Sequence, residues 1–283
     1  MILLVSGAVI ASIAVMASLA FVYGPARARR RSKDLRLRLR TSQRRADGAV
    51  YRSSQLVGLP APVQRYFNAV LKDGQPVITS MTWSQEGAMQ MKPTDSVWRP
   101  FQATQLFVTD PPGFEWNARL RMMPGVDAHV SDAYVQGRGE LNASLFGLFP
   151  VGKAEGTPEI ARGELLRYLA EAVWFPTALL PGHGLRWAPI DDRTARATLE
   201  DGSTTVSIDF GFGDDGLIET AFAHARDREV DGRSEPLPWK GRFTNYSWRH
   251  GIQTPLNAEV SWEYPEGPWV YWRGRIVDIE YEF

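Results

Sequence analysis

The side chains that most often do chemistry in proteins are few and widely spaced in this 283-residue chain. It has no cysteine and four histidines, which are His129, His183, His224 and His250. Metal sites need ligands close together, as in H-x-x-x-H, and only Asp127, His129 and Asp132 approach such a spacing. In a strand, however, Asp127 and His129 project from one face and Asp132 from the other. We therefore expect neither a metal site nor another cofactor.

Motifs for nucleophilic or phosphate chemistry do not occur in the sequence either. There is no G-x-S-x-G nucleophile turn, no G-x-x-x-x-G-K-[ST] loop and no helix-opening G-x-G-x-x-G. Adjacent aspartates stand in turns, where Asp is favoured by its own backbone hydrogen bonds. A polar cluster over one face of the sheet is explained as well by surface ion pairs as by catalysis; its members are Arg119, Arg121, Asp132 and Glu140. An enzyme is therefore the less favoured class of protein.

Aromatic residues are the most informative excess in the chain. They make up 11% of the residues, and ten of them are Trp. Large rings suit the core of a sheet packed on helices, and core packing explains most of them. A curled sheet with only two helices also leaves room for an apolar cavity, and ligand sites are concave and mostly apolar. The candidate ligand-binding residues are rings on the strands and the covering helix, with arginines at the rim: Phe107, Trp116, Tyr134, Trp174, Phe175, Arg119 and Arg121.

The N-terminus begins with an apolar run, residues 2–23, that contains 22 residues and no charged side chain. At a rise of about 1.5 Å per residue, a helix of that length spans a bilayer core of about 30 Å. A cleaved signal peptide is the alternative, with Ser18-Leu19-Ala20 as the cleavage site. The run lacks a basic n-region and exceeds the roughly 7–15 apolar residues usual in a signal peptide. We therefore predict a retained transmembrane helix within 1–23.

A strongly basic segment follows, because residues 24–50 carry ten basic and two acidic side chains. The whole chain is neutral, so residues 51–283 carry a net charge of −8, which argues against a nucleic-acid-binding domain. Lys and Arg beside a membrane span tend to stay in the cytoplasm. We predict a single-pass protein of the bacterial plasma membrane with a cytoplasmic domain. Contacts with anionic lipid head groups are expected from the first basic residues, although a solvated linker explains the same charges: Arg27, Arg29, Arg30, Arg31 and Lys33.

The rest of the chain, 57–283, has the pattern of a single α+β domain that follows a basic juxtamembrane linker over 24–56. Two stretches have helical periodicity, around 62–71 and 163–173. The second places its leucines on one side and Glu164, Arg167 and Glu171 on the other. About eleven segments alternate apolar and polar residues as strands do, and their short connections favour antiparallel pairing. We predict a large, curled, mostly antiparallel sheet, similar to a half-barrel, that is covered by the two helices.

Six segments of the domain carry a resemblance to a known family: LPAPVQRYF (59–67), WRPFQATQLF (98–107), PPGFEWNARL (111–120), DAYVQGRGEL (132–141), GELLRYLAEAVWFPTALLP (163–181) and PWKGRF (238–243). They resemble an uncharacterised bacterial family known only as a domain of unknown function. The resemblance covers nearly all of 57–283 and implies a membrane-anchored protein without an assigned activity, so no functional residue carries over. In fold, the sheet is also similar to bacterial lipoprotein-carrier half-barrels, which hold acyl chains. Those carriers work on the exported side, whereas the basic flank predicts a cytoplasmic domain.

Three classes of function remain open. The first is a membrane-tethered domain that binds a lipid or another apolar ligand without catalysis. The second is a structural or interaction module held at the membrane, and the third is an enzyme with an unrecognised site. An open apolar groove favours the first class and a filled sheet with an exposed apolar patch favours the second. A buried cluster of titratable groups with shifted pKa values favours the third.

Overall fold

The computed structural model describes residues 23–44, 48–230 and 233–283. The predicted transmembrane helix over 2–23 therefore lies, apart from Tyr23, outside the described residues. None of the helices within the described ranges is both long and apolar enough to cross a membrane.

Thirteen strands of the described chain form a single sheet, in which every pairing is antiparallel. Their bounds are β1 (Ser80–Met89), β2 (Arg99–Val108), β3 (Gly113–Met123), β4 (Val126–Val135), β5 (Arg138–Leu145), β6 (Phe149–Glu155), β7 (Leu185–Pro189), β8 (Thr194–Asp201), β9 (Thr204–Phe212), β10 (Ile218–Val230), β11 (Arg233–Arg249), β12 (Ile252–Tyr264) and β13 (Gly267–Glu282). The order across the sheet is β6-β5-β4-β3-β2-β1-β13-β12-β11-β10-β9-β8-β7. The chain thus makes two meanders that meet where β1 pairs with β13. Within the described residues β6 and β7 do not pair, so the sheet is open.

Three α-helices lie in the described part of the chain: α1 over 23–42, α2 (Ala61–Val70) and α3 (Pro158–Glu171). Short 3-10 helices cover Ser53–Leu56, Ala172–Trp174 and Pro176–Leu179. The start of α3 is fixed by Thr157, whose Oγ1 accepts a hydrogen bond from the Ile160 N–H at 3.3 Å, and by Pro158 in the first turn. This helix links the two meanders.

The sheet curls tightly around α3. The helix packs against β5 and also against β9, which are nine strand positions apart in the sheet. Strands lie about 4.8 Å apart, so a flat sheet would separate these two by about 43 Å. A helix is only about 10 Å wide and cannot bridge that gap. The sheet is therefore strongly concave toward α3, which agrees with the predicted α+β class and antiparallel sheet.

The main core fills part of this concave side. The predicted apolar side of α3 is buried there: Leu165, Leu169 and Val173 are 0% exposed. Helix α2 buries Tyr66 and Phe67 beside them, as its periodicity predicted. These aromatic and aliphatic side chains share one continuous cluster with the inward residues of the strands.

Helix α1 packs on the opposite, convex face of the sheet. Leu35 and Leu39 are buried there in a second, smaller cluster; its other members are Leu106, Val108, Ala133 and Val135. At the start of the helix, Gly24 lies so close to the Phe146 carbonyl oxygen that a Cβ atom would be 1.7 Å from it. Over 23–42 the segment predicted as a linker is thus a helix packed on the sheet, because leucines recur among its basic residues at helical spacing. The division at residues 23 and 56 stays a prediction.

Sequence periodicity overlooked one strand, β6. Its sequence, Phe-Pro-Val-Gly-Lys-Ala-Glu, contains Pro and Gly, and most of its residues are exposed. Proline in a sheet is confined to edges and bulges, and edge strands have no buried partner to enforce alternation. The weak pattern of β6 is therefore a property of its position at the edge of the sheet.

Candidate functional site

A cavity of about 1060 Å³ remains on the concave face, between α3 and the central strands. Its aromatic lining comes from five strands and from the segment that follows α3: Trp83, Trp116, Trp174, Trp239, Phe243, Trp262, Tyr271 and Trp272. Aliphatic residues of β4, β5 and β12 complete the apolar wall. The arrangement is a groove walled by rings, with the polar side of α3 along one flank.

Register and bulges explain why so many rings face the cavity. Trp239 pairs with Trp262, and Trp262 pairs with Trp269, so the three indoles form a row across β11, β12 and β13. A register shift opposite Val260 and Ser261 then adds a residue to β13, and both Tyr271 and Trp272 line the cavity. A bulge is thus what lets two consecutive rings share one face.

The indole N–H groups at the cavity are mostly satisfied by the protein itself. Trp83 Nε1 donates to Gln105 Oε1 at 3.1 Å, and Trp116 Nε1 donates to Gln85 Oε1 at 3.1 Å. In the same way, Trp174 Nε1 donates to a backbone carbonyl oxygen and Trp239 Nε1 to the hydroxyl of Tyr271. Because these donors are already used, the rings offer a ligand mainly their apolar faces.

The polar flank of the cavity is centred on Arg167 of α3. Its guanidinium donates to Asp132 at 2.7 Å and to Glu171 at 2.9 Å, and it lies 5.0 Å from the ring centroids of Phe114 and Trp116. Burial lowers the pKa of Arg167, but the carboxylates of Glu171 and Asp132 outweigh that effect and raise it. Arg167 is therefore a permanent cation that holds the carboxylates in place.

Glu164, one turn earlier on α3, is the most perturbed acid at the cavity. It is 3% exposed, and burial together with the nearby Asp132 raises its pKa to about 8. Burial also raises the pKa of Asp132. Oε2 of Glu164 and Oδ1 of Asp132 are buried without a hydrogen-bond partner in the described part of the chain. At neutral pH Glu164 is thus a protonated carboxyl at the cavity wall, able to donate a hydrogen bond.

The structure brings together only part of the predicted ligand-binding set. Trp116 and Trp174 line the cavity. Phe107 and Phe175 instead pack on each other with ring centroids 4.6 Å apart, and both are 0% exposed. Tyr134 is also buried, and its hydroxyl donates to Asp201 at 2.7 Å. These three rings support the cavity from behind.

The predicted rim arginines, Arg119 and Arg121, lie on the convex face and are not part of the cavity. Both are exposed and pair with Asp127, at 3.7 and 3.0 Å. The physical reason is strand alternation: on β3 they project opposite to Trp116, on the same side as Glu115, which contacts α1. Neither arginine therefore lies at the rim of this cavity.

The residues predicted to meet lipid head groups all lie on α1. Arg27, Arg29, Arg30 and Lys33 are exposed. Arg31 instead forms an ion pair with Glu140 at 2.9 Å. Whether the exposed four contact a membrane stays a prediction.

Sequence reasoning missed the charged residues of the cavity. Glu164, Arg167 and Glu171 were predicted only to lie on the side of α3 opposite its leucines, and all three line the cavity. Arg226 and Arg228 also line it, but they belong to a bulged stretch of β10 where simple alternation fails. For α3, the predicted curl of the sheet could have indicated this, since a helix that crosses a curled sheet is surrounded by protein on most sides.

Known structures with a similar architecture include two bacterial proteins. A LolA superfamily protein, NE2245 from Nitrosomonas europaea, is 12% identical, with 80% of this chain and 95% of that chain covered and a TM-score of 0.44. A beta-barrel-like protein of the domain of unknown function DUF1849 from Brucella abortus is 9% identical, with coverages of 73% and 99% and a TM-score of 0.23.

At the level of sequence, no curated protein matches the chain. A family model does match, over residues 57–281. It covers α2, α3, twelve of the strands and all of β13 but its last residue, and so it includes the cavity between them. This is the family that the sequence motifs of the domain indicated. The chain belongs to the family of unknown function DUF6920.

Proposed function

We propose that the protein binds a lipid or a similar amphiphile, with the hydrocarbon portion in the Trp-lined cavity. The observation that carries the proposal is the cavity itself, whose volume of about 1060 Å³ is slightly above the roughly 300–1,000 Å³ typical of ligand pockets. Each methylene group buried there contributes about 0.8 kcal/mol. A chain with about ten buried methylenes thus gains about 8 kcal/mol before the cost of association.

The chemistry of the walls favours hydrocarbon over a polar ligand. The rings present faces whose N–H groups are already bonded within the protein, so a sugar or peptide would lose hydrogen bonds to water and regain few. An alkyl chain loses none. Most charged lining residues belong to α3 and β10, and the others are Asp132 of β4 and Lys153 and Glu155 of β6. The lining residues of β1, β3, β11, β12 and β13 are uncharged, so a ligand with one polar end has a preferred orientation.

An enzyme is the second candidate, and the protonated Glu164 beside Asp132 is the observation that favours it. Perturbed acids in a cleft are common in active sites, but ion-pair networks perturb pKa values as well. Here Asp132 is already bonded to Arg167. The lining residues of the described chain include no Ser, Cys or His. Binding accounts for the cavity without a further reactive group, so it is the better-supported function.

Membrane attachment is also part of the proposal. Residues 2–23 would anchor the chain in the bacterial plasma membrane, with the domain in the cytoplasm, as the charge-free run and the basic flank predict. A bilayer close to the domain would supply acyl chains at high local concentration.

The test is photo-crosslinking of the full chain, in mild detergent, with a palmitate analogue that carries a diazirine on its alkyl chain. We expect labelled peptides from β11, β12 and β13. Ala143→Trp, which places a ring in the cavity, should lower labelling at least tenfold. Val151→Trp adds the same ring at an exposed position of the adjacent strand and should leave labelling unchanged. Labelling confined to residues 2–23, or unaffected by Ala143→Trp, would refute the proposal.

A further inference from the structure

Two arginines of β10, Arg226 and Arg228, line the cavity and lie over its aromatic rings. No hydrogen bond or ion pair links either guanidinium to another residue within 23–44, 48–230 and 233–283. The Arg226 guanidinium carbon lies 5.1 Å from the Trp239 ring centroid and 5.8 Å from that of Trp262. That of Arg228 lies 5.6 Å from Trp262 and 5.0 Å from Trp269. Both cations therefore lie over the row of indoles, of which Trp239 and Trp262 line the cavity.

A bulge in β10 is what directs them there. Ala221 and Ala223 face the core and pair with successive inward positions of β11, but the next paired residue is Arg226. The two residues between them, His224 and Ala225, have no partner on β11 and are exposed. Because of this insertion Arg226 and Arg228 line the cavity, although alternation continued from Ala223 would have placed them on the outward face. Asp227, between them, lines it as well.

The carboxylates near these two arginines act on them without forming an ion pair: Asp132 and Glu164 lie near Arg226, and Glu235 lies near Arg228. Asp132 is bonded to Arg167 at 2.7 Å. Glu164 keeps its proton at neutral pH, because its pKa is raised to about 8 by burial and by Asp132. Asp227 also lines the cavity, but its carboxylate pairs with Arg162 at 3.0 Å. Burial also lowers the pKa of Arg228, which indicates a guanidinium withdrawn from water.

We infer that Arg226 and Arg228 bind the anionic head group, a carboxylate or a phosphate, of the amphiphile whose chain occupies the Trp-lined cavity. The inference rests on the proposed function and adds the chemical class of the ligand. Guanidinium groups present paired N–H donors that match the oxygens of carboxylate and phosphate. The two arginines lie two residues apart on one strand face, about 7 Å along the chain, and can donate hydrogen bonds to one head group from two sides.

The test uses the full chain in detergent and the same photoactivatable palmitate, displaced by three unlabelled competitors. Palmitate offers a carboxylate, hexadecyl phosphate offers a phosphate, and monopalmitoylglycerol has the same chain with an uncharged head. For the wild type we expect both anions to compete at concentrations about 10- to 100-fold below the neutral ester, the effect of charge-assisted hydrogen bonds. The anion that competes at the lower concentration identifies the preferred head group as a carboxylate or a phosphate.

Arg226→Gln combined with Arg228→Gln should abolish that preference, while the neutral ester competes as before. Arg119→Gln combined with Arg121→Gln is the matched control, because it removes two arginines with the same spacing from the convex face. Arg226→Lys with Arg228→Lys keeps both charges and should keep a preference for the anions. It also guards against misfolding of the glutamine variant.

The outcomes separate the two proposals. If palmitate labels the cavity and the glutamine pair still prefers anions, the head-group inference is overturned and the proposed function stands. Equal competition by all three compounds in the wild type would likewise overturn the head-group inference and leave the proposed function standing. If the photoactivatable palmitate labels the cavity in no variant, the proposed function itself fails.

Discussion

Replacing Glu164 with Gln should stabilise the protein at neutral pH, by an amount that grows as the pH rises. The carboxyl is 3% exposed, and burial with the nearby Asp132 raises its pKa from 4.5 to about 8. The unfolded chain loses this proton above about pH 4.5, whereas the folded chain keeps it up to about pH 8. Between these values the folded state binds more protons, so the free energy of unfolding falls as the pH rises.

The size of the effect follows from the shift in pKa. Each pH unit in the window from 4.5 to about 8 lowers the free energy of unfolding by about 1.4 kcal/mol. At pH 7 the accumulated cost is about 3 kcal/mol. Glutamine has nearly the same shape and no proton to lose, so Glu164→Gln should recover about that amount at pH 7 and almost nothing at pH 4.5.

The assay is chemical unfolding of the full chain in detergent, followed by Trp fluorescence at a series of pH values from 5 to 8. All ten tryptophans lie between Trp83 and Trp272, so the signal reports on the sheet. Glu159→Gln, on the same helix, is the control. A backbone hydrogen bond lowers the pKa of Glu159, so this residue is ionised in both states throughout the series. A Glu164→Gln gain that stays constant over the series, or a variant less stable than wild type at pH 7, would show that Glu164 is ionised in the folded protein.

Two further predictions concern the convex face and the membrane. Leu39→Ala should destabilise the protein by about 2–5 kcal/mol, because Leu39 is 1% exposed between α1 and the sheet. Leu37→Ala, on the exposed side of the same helix, should change the stability little. Equal effects of the two variants in thermal unfolding would mean that α1 does not pack there. A reporter that is active only after export, fused after Phe283, should be inactive if the domain is cytoplasmic, and activity would show that the basic flank does not set the orientation.

Local sequence patterns predict the individual elements of this fold well. Alternation identifies β3, since Trp116 and Leu120 face the core while Arg119 and Arg121 face outward. Helical spacing likewise predicts the buried side of α3. These patterns succeed because each depends only on which side of a single strand or helix faces the core and which side faces water. The same alternation also places Arg119 and Trp116 on opposite faces of β3, so the sequence alone argued against a place for that arginine at the rim of the cavity.

The cavity could not be predicted in the same way, because its polar residues break the local rules. Arg226 reaches the cavity only through an insertion in β10, which changes the face of every later residue in the strand. Glu164 and Arg167 look like the solvent side of an amphipathic helix, but a curled sheet closes around that side as well. Bulges and curvature arise from long-range pairing, which no short window of sequence contains.

Helix α1 shows how the basic segment serves two purposes at once. Its C-terminal half is committed to the sheet: Arg36 donates to Glu115, a buried carboxylate, at 2.7 Å, and Arg40 pairs with Glu282. Deleting the helix would therefore uncover the apolar cluster around Leu39 and leave a buried acid without its partner, which costs more than the loss of a surface contact. Its N-terminal half instead keeps Arg27, Arg29, Arg30 and Lys33 exposed, next to the predicted membrane span. Positive charge that remains in solvent at that end is available to anionic lipid. We therefore expect the exposed N-terminal half of α1, rather than the whole basic segment, to contact the membrane surface.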